Sequence, residues 1–352
     1  MNFSQILIDW YHQNKRDLPW RKTDDPYFIW ISEIILQQTR VNQGLAYYEK
    51  FVKEFPDVGS LANTPVDRVL KIWQGLGYYS RARNLHASAR HIHFERDNKI
   101  PDNYRGLLNL KGVGEYTAAA IASFAFNEPV AVVDGNVQRV LSRIFCISFP
   151  VNSAEGKRTF KKKAKELLDE DKPGEFNQAI MEFGAMHCIP QNPACKQCPF
   201  FKYCCACQKD AVNKFPVKQL RKKRTVRYFH YLRILYDDYT FLQKRTRNDI
   251  WNSLYQYPVV ESNKELNVKE LKETEDWNKY FYWNASDIEI ADVSEVYTHN
   301  LTHQKIYARF FTINLKSVEV LDDSGLIQVG VDKLSNYAIP KLIDNYHKRN
   351  QE

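Results

Sequence analysis

Residues 110–137 read LKGVGEYTAAAIASFAFNEPVAVVDGNV, and this stretch decides the fold class. Leu110-Lys111-Gly112-Val113-Gly114 falls between a helical segment ending near Leu110 and a helix predicted over Tyr116 to Phe124. Two glycines at this spacing permit a tight hairpin, whose backbone N–H groups and following helix N-terminus can approach a phosphate closely. Downstream, Val133-Asp134-Gly135-Asn136-Val137 places a carboxylate at what by itself reads as an ordinary turn or helix cap.

Outward from this stretch, apolar residues recur every three or four positions from residue 1 to about 208, with turn signals at Asn63-Thr64-Pro65 and Lys172-Pro173-Gly174. The periodicity breaks at Lys214-Phe215-Pro216 and the basic run Arg221-Lys222-Lys223-Arg224, which reads equally as a solvated tether or as a phosphate contact. Beyond it the texture is β. Arg227 to Tyr236 and Tyr239 to Lys244 flank Asp237-Asp238 as in a hairpin, and Ile306 to Leu315 reads as another strand. Helical patterns at about 264–281 and 331–348 complete a smaller α/β module. The expected organisation is an all-helical domain over 1–208, a linker over 209–226 and an α/β domain over 227–352.

A chain of 352 residues with 44% hydrophobic content can fill two cores. A net charge of +8 with 14% aromatic residues suits a polyanionic partner without establishing one. No run approaches the roughly 18 to 20 apolar residues of a membrane span, and the N-terminus MNFSQILIDWYHQNKRD has no signal-peptide pattern, so a cytoplasmic protein is expected; a monomer is expected as well.

Six of the seven cysteines crowd between Cys188 and Cys207, which fits a metal or cluster site in a reducing compartment better than distributed disulfides. Cys146 lies apart and reads as a buried apolar residue. Cys188, Cys195, Cys198 and Cys204 form C-x6-C-x2-C-x5-C, a set able to hold tetrahedral zinc or a [4Fe-4S] cluster, with Cys205 and Cys207 as possible substitutes. Zinc ribbons present two close C-x2-C pairs, and among Cys188, Cys195, Cys198 and Cys204 only Cys195 and Cys198 form one. A second chemical signal is Glu33 within Trp30-Ile31-Ser32-Glu33-Ile34-Ile35-Leu36-Gln37-Gln38-Thr39, a carboxylate amid apolar helical positions, where a charge must be paired, neutralised or exposed on one face.

These features resemble the MutY-type adenine DNA glycosylases of the endonuclease III superfamily. The resemblance rests on the cysteine spacing, on the hairpin followed by Asp134, on the Glu33 helix, and on Leu18-Pro19-Trp20-Arg21 and Gly75-Leu76-Gly77-Tyr78-Tyr79-Ser80-Arg81. It implies a helix-hairpin-helix domain with a [4Fe-4S] loop at 188–204, contact of Lys111, Gly112, Val113 and Gly114 with phosphate, and double-stranded DNA carrying adenine opposite 8-oxoguanine or guanine as substrate. Glu33 would protonate adenine at N7 and Asp134 would stabilise the oxocarbenium-like sugar, with Asn136 and Tyr116 in support. Bifunctional relatives carry a Schiff-base lysine where this chain has Tyr116, so base removal without strand cleavage is expected.

The adenine must be flipped into a pocket, which the resemblance lines with Arg16, Trp20, Arg21, Leu36 and Gln178, while Gln38, Thr39, Leu76 and Tyr78 would fill the gap and meet the partner base. Trp251–Pro258 and Val296–His303 fall where the family has a Nudix-like domain that recognises 8-oxoguanine. There the family's Phe-Ser-His tripeptide is Leu301-Thr302-His303, which keeps the hydroxyl and loses the aromatic face. The competing readings are another glycosylase of the superfamily, of the endonuclease III or mismatch type, and a non-enzymatic zinc-containing DNA-binding protein.

Overall fold

The computed structural model describes residues 2–219, 224–281, 287–321 and 325–350. The basic run at 221–223 lies outside the described residues. Among the described residues, the α-helices α1 (Phe3–Asn14), α2 (Pro26–Leu36), α3 (Val41–Glu54), α4 (Val58–Asn63), α5 (Val66–Trp73), α6 (Ser80–Glu95), α7 (Tyr104–Leu107), α8 (Glu115–Phe126), α9 (Gly135–Phe145), α10 (Ala154–Leu167), α11 (Pro173–Met186) and α12 (Cys205–Gln208) precede the first strand. Then follow β1 (Thr225–Tyr236), β2 (Tyr239–Lys244), β3 (Tyr255–Gln256), β4 (Val259–Ser262), α13 (Val268–Lys272), α14 (Glu275–Asn278), β5 (Ile288–Val293), β6 (Tyr297–Asn300), β7 (Gln304–Leu315), β8 (Leu326–Gly330) and α15 (Lys341–Arg349). Among the described residues no helix is long and apolar enough to cross a membrane.

The chain divides into two compact units, Met1–Asn63 with Asn84–Leu220, and Thr64–Arg83 with Arg221–Glu352. In the first unit, α1 and α11 pack on α9 through Phe3, Leu7, Tyr11, Val140, Leu141, Ile180 and Phe183, all buried. Helix α2 starts where Asp25 accepts the Tyr27 N–H at 2.8 Å and Pro26 occupies the first turn, both favoured N-terminal choices. Its Ile29, Trp30, Ile31, Ile34 and Ile35 are all buried, as expected of a helix that is apolar around its circumference. A buried Asn177 satisfies its amide by donating to Ser123 Oγ and the Val130 carbonyl and accepting from the Val132 N–H, which ties α11 to α8 and to the segment leading to Asp134. The segment 212–218, within the expected linker, packs here: Val212 and Phe215 join the core, and the Val151 N–H donates to the Val217 carbonyl.

The second unit is an eight-stranded mixed sheet whose main path runs β3-β2-β1-β7-β5, with β4 on β1, β6 on β7 and β8 on β2. Strands β1 and β7 are parallel over eleven paired positions from Thr225↔Gln304 to Leu235↔Asn314, and β1 turns into β2 through the Asp237-Asp238 hairpin. Alternation along β1 sends Phe229 and Tyr231 to one core with α15, and Leu232 and Ile234 to the other with Leu271 and Trp277 of α13 and α14. The helical pattern expected over 331–348 is interrupted: a 3-10 segment ends at Asn336 and α15 begins only after Pro340, because a proline cannot donate within a helix. The pattern expected over 264–281 likewise forms two short helices, each with its own cap, Asn267 and Thr274.

Segment Thr64–Arg83 belongs with this sheet, an attachment that helical periodicity does not reveal. Asp67 accepts from Lys244 Nζ at 2.7 and 2.9 Å and from the Tyr255 hydroxyl at 2.8 Å. Arg83 donates to the Asn252 carbonyl at 2.6 Å, and Lys71 to that of Tyr337 at 3.2 Å.

Candidate active site and cysteine loop

A cavity of about 170 Å³ in the helical unit is lined by Glu33, Tyr116, Asp134 and Asn136, together with Arg16, Trp20, Arg21, Leu36, Thr39 and Gln178. These ten come from the 16–21 segment and from the α2, α8, α9 and α11 regions, so no local sequence window contains the site. Gln38 does not line it. That residue is exposed, in the left-handed region at φ 57°, just beyond α2.

Glu33 sits on the inner face of α2 and is 5% exposed. The Tyr116 hydroxyl donates to its Oε2 at 2.7 Å. Burial pushes the Glu33 carboxyl up, Tyr116 and Arg21 oppose this, Asp134 reinforces it, and the result is about 7. Such a group carries a transferable proton near neutrality.

Asp134 is the N-cap of α9. Its Oδ1 accepts the Val137 N–H at 2.7 Å and its Oδ2 accepts from Asn136 Nδ2 at 2.8 Å. Burial raises this carboxyl, while those hydrogen bonds and the Arg139 charge favour its anion. Asn136 is itself oriented by Arg139, which donates to its Oδ1 at 2.8 Å and to the Gly184 carbonyl at 2.6 Å. A side chain at Gly184 would bring its Cβ to 2.7 Å from the Asn136 Cβ, so α11 can lie against the Asp134 cap only with glycine there.

On α11, Gln178 accepts the Tyr11 hydroxyl at 2.6 Å. Four residues on, Glu182 also lines the cavity. It is 1% exposed and binds both Arg16 and Arg21. The sequence reading passed over Glu182, Ser32, Phe124 and Met181. For Glu182 a signal existed: it is a charge within the otherwise apolar Ala179-Ile180-Met181-Glu182-Phe183, the same anomaly that marks Glu33.

At the hairpin, Gly112 adopts φ 78° and a Cβ there would meet Asn84 Cβ at 2.7 Å, so glycine is required on both counts. Lys111, Gly112 and Gly114 are exposed and Val113 is buried. A Cβ at Gly114, the N-cap of α8, would meet nothing within 4 Å.

The remaining site residues are in the sheet unit. Leu76 is buried there, and Tyr78 is exposed with φ 49° and hydrogen-bonds the Thr302 hydroxyl at 2.8 Å. Leu301, Thr302 and His303 form the β6–β7 turn, closed by the Leu301 N–H to the Gln304 carbonyl at 2.9 Å. Leu301 packs against the sheet core, whereas Thr302 and His303 are exposed.

Cys188, Cys195, Cys198, Cys204 and Cys207 all line one cavity beside Arg143, Phe183 and His187. Among the described residues no three His, Cys, Asp or Glu side chains are placed to hold one metal ion. Arg143, 2% exposed, braces the loop by donating to the carbonyls of Ile189 at 2.7 Å, Pro190 at 2.9 Å and Phe215 at 3.2 Å. Two expectations are corrected. Cys146 is not a free apolar residue but forms a disulfide with Cys205, and Cys205 therefore has no thiol to offer as a substitute ligand.

Residues 31–169 match the HhH-GPD superfamily of base excision DNA repair proteins. The chain is 37% identical over 268 residues to an adenine DNA glycosylase of Buchnera aphidicola subsp. Acyrthosiphon pisum, covering 75% of each. It is 31% identical over 325 residues to that of Buchnera aphidicola subsp. Baizongia pistaciae, covering 92% of this chain and 89% of the relative. Against the adenine DNA glycosylase of Homo sapiens it is 42% identical over 216 residues, or 59% of this chain and 40% of the human one. Among solved structures, a thermostable thymine-DNA glycosylase superposes with a TM-score of 0.55 at 32% identity, over 59% of this chain and 95% of that one. An endonuclease III–DNA complex superposes at 0.52 with 19% identity, over 59% and 94%, a likeness of fold alone.

Proposed function

The chain belongs to the adenine DNA glycosylases of the HhH-GPD superfamily, enzymes that remove adenine from DNA in base excision repair, and from that premise we propose that it acts on adenine opposite 8-oxoguanine or guanine with Glu33 as the acid. The observation that carries the reading is one cavity holding two carboxylates, Glu33 buried and pushed up to about 7, and Asp134, also raised by burial but held by the Val137 and Asn136 donors and the Arg139 charge, which favour its anion.

Adenine leaves poorly as an anion, so its N7 takes the Glu33 proton as the N-glycosidic bond lengthens. Positive charge then grows at the sugar, and the Asp134 carboxylate, fixed by Val137 and Asn136, stabilises it without having to reorganise. The deprotonated Glu33, still held by Tyr116, activates the water that completes hydrolysis. Tyr116 supplies no amine, so the reaction stops at the abasic site. Trp20 and Leu36 give the flipped base apolar walls, and Gln178 and the arginines give it polar ones.

The Lys111–Gly114 hairpin and the α8 N-terminus hold a DNA phosphate, the open space at Gly114 leaving room for its approach. Cys188, Cys195, Cys198 and Cys204, which line one cavity, would hold a [4Fe-4S] cluster, whose bonds to the four thiolates would cross-link the loop. The sheet unit, with helices against both faces, serves as a Nudix-like reader of 8-oxoguanine through Thr302 and His303. Base release from duplexes with adenine opposite 8-oxoguanine, guanine or thymine tests the reading. Release should be efficient in the first two and weak in the third, and equal release from all three would overturn the substrate assignment.

A further inference from the structure

One buried carboxylate in the cavity wall collects five N–H donors. Glu182 Oε1 accepts from the Arg16 backbone N–H at 2.9 Å, Arg16 Nε at 2.8 Å and Arg21 Nη1 at 3.0 Å. Its Oε2 accepts from Arg16 Nη2 at 2.5 Å and Arg21 Nη2 at 2.8 Å. Both guanidinium groups are thus gripped in bidentate fashion, the geometry that fixes arginine most firmly. Arg21 is further confined by the Tyr11 ring, 5.6 Å from its guanidinium carbon, and by the Arg16 carbonyl at 3.1 Å.

Arg21 lines the same cavity as Glu33, and its charge pulls the Glu33 carboxyl down. A free arginine in a dry pocket would turn toward such a carboxylate and pair with it, which would strip Glu33 of the proton it must deliver. The restraint comes from Glu182 on α11. The charged and titratable groups facing Glu33 are Tyr116 from α8, Asp134 at the α9 cap, and Arg21. Those facing Arg21 are Tyr11 from α1, Arg16, Glu182 and Glu33.

We propose that Glu182 is a positioning residue of the reaction: by holding Arg16 and Arg21 on one buried carboxylate, it keeps Arg21 beside the Glu33 acid without letting the two form an ion pair. This rests on the reading of Glu33 as the proton donor. Removing the Glu182 charge leaves the site one unit more positive and frees Arg21. Glu33 then titrates at lower pH, and the enzyme runs out of acid sooner as pH rises.

The test compares single-turnover adenine release by the wild type, Glu182→Gln and Glu182→Gln with Arg21→Gln, from about pH 5 to about pH 9. In Glu182→Gln the alkaline limb should move acidward by about one unit, a roughly tenfold loss at alkaline pH beyond any loss at acid pH. The double variant, with the charge balance restored, should move the limb back. A loss by the same factor at every pH, or a limb that the second substitution leaves displaced, would overturn the proposal and make Glu182 a structural residue. Carboxyl-carbon NMR titration of Glu33 reads the same shift without turnover. A wild type that releases no adenine would therefore sink the functional reading while leaving the positioning question answerable. Should Glu182→Gln fail to fold, Glu182→Asp serves: its shorter arm cannot span both arginines and should move the limb in the same direction by less, and an unmoved limb would refute the idea.

Discussion

The Tyr116 hydroxyl and the Glu33 carboxylate, 83 residues apart in the chain, meet across the cavity at 2.7 Å with Tyr116 as donor. The bond favours the Glu33 anion, against the burial that disfavours it. Tyr116→Phe should therefore raise the Glu33 pKa and carry the alkaline limb of adenine release to higher pH, opposite in direction to Glu182→Gln. A pH profile that keeps its limb while losing amplitude would mean that Tyr116 serves only to shape the pocket.

Glu33 also links stability to pH. Its carboxyl is raised from 4.5 to about 7, so the folded state binds the proton more tightly than the unfolded chain does. The stabilisation is complete below about pH 4.5 and is lost as pH rises through about 7, a total of roughly 3 kcal/mol. Glu33→Gln removes this dependence. The variant should release no measurable adenine yet melt at a higher temperature than the wild type at pH about 8, the gap closing toward pH about 5. A variant less stable than the wild type across that whole range would contradict the burial cost assigned to Glu33.

The same reasoning marks where the sequence was informative and where it was not. Glu33 stood out because a charge amid apolar helical positions needs an explanation, and Glu182 carries the same mark in α11. Its role stayed hidden because its partners, Arg16 and Arg21, lie more than 160 residues away. Strand β2 was legible to the residue because β-branched and aromatic residues crowd around an Asp-Asp turn, whereas Pro340 breaks a helical pattern that periodicity alone extends. Two long-range pairings left no local trace: the Cys146–Cys205 disulfide, with partners 59 residues apart, and the attachment of Asp67 to Lys244 and Tyr255 in the sheet unit.

Among the described residues the cysteine loop holds five free thiols, one more than the proposed cluster would need. Cys204→Ser should lower the iron bound per chain and the visible absorption near roughly 400 nm, with loss of stability or DNA affinity rather than of the chemical step. Cys207→Ser should keep both iron and colour, because Cys204 completes the spacing from Cys198. Iron loss in Cys207→Ser with retention in Cys204→Ser would exchange the two assignments, and a colourless wild type containing zinc would remove the cluster from the account.

The least local assignment concerns the base opposite adenine. Tyr78 and Thr302, 224 residues apart, hydrogen-bond at 2.8 Å on the surface of the sheet unit, where Leu301 turns inward and Thr302 and His303 face outward. With leucine packed against the core, the proposed lesion reading would fall to the hydroxyl and the imidazole, both of which can donate to or accept from the polar edge that distinguishes 8-oxoguanine from guanine. Thr302→Val keeps the shape and loses both the hydroxyl and its bond to Tyr78. One lost hydrogen bond amounts to about 0.5 to 1.5 kcal/mol, so preference for adenine opposite 8-oxoguanine over adenine opposite guanine should fall by about 2- to 13-fold while Glu33 chemistry on the guanine mispair is retained. Tyr78→Phe breaks the same bond from the other side. If the bond holds Thr302 in position for the lesion, Tyr78→Phe lowers selectivity in the wild type and has little further effect in Thr302→Val, the non-additivity expected of coupled residues. Equal losses on both mispairs in either variant would instead make the pair a brace for general DNA binding.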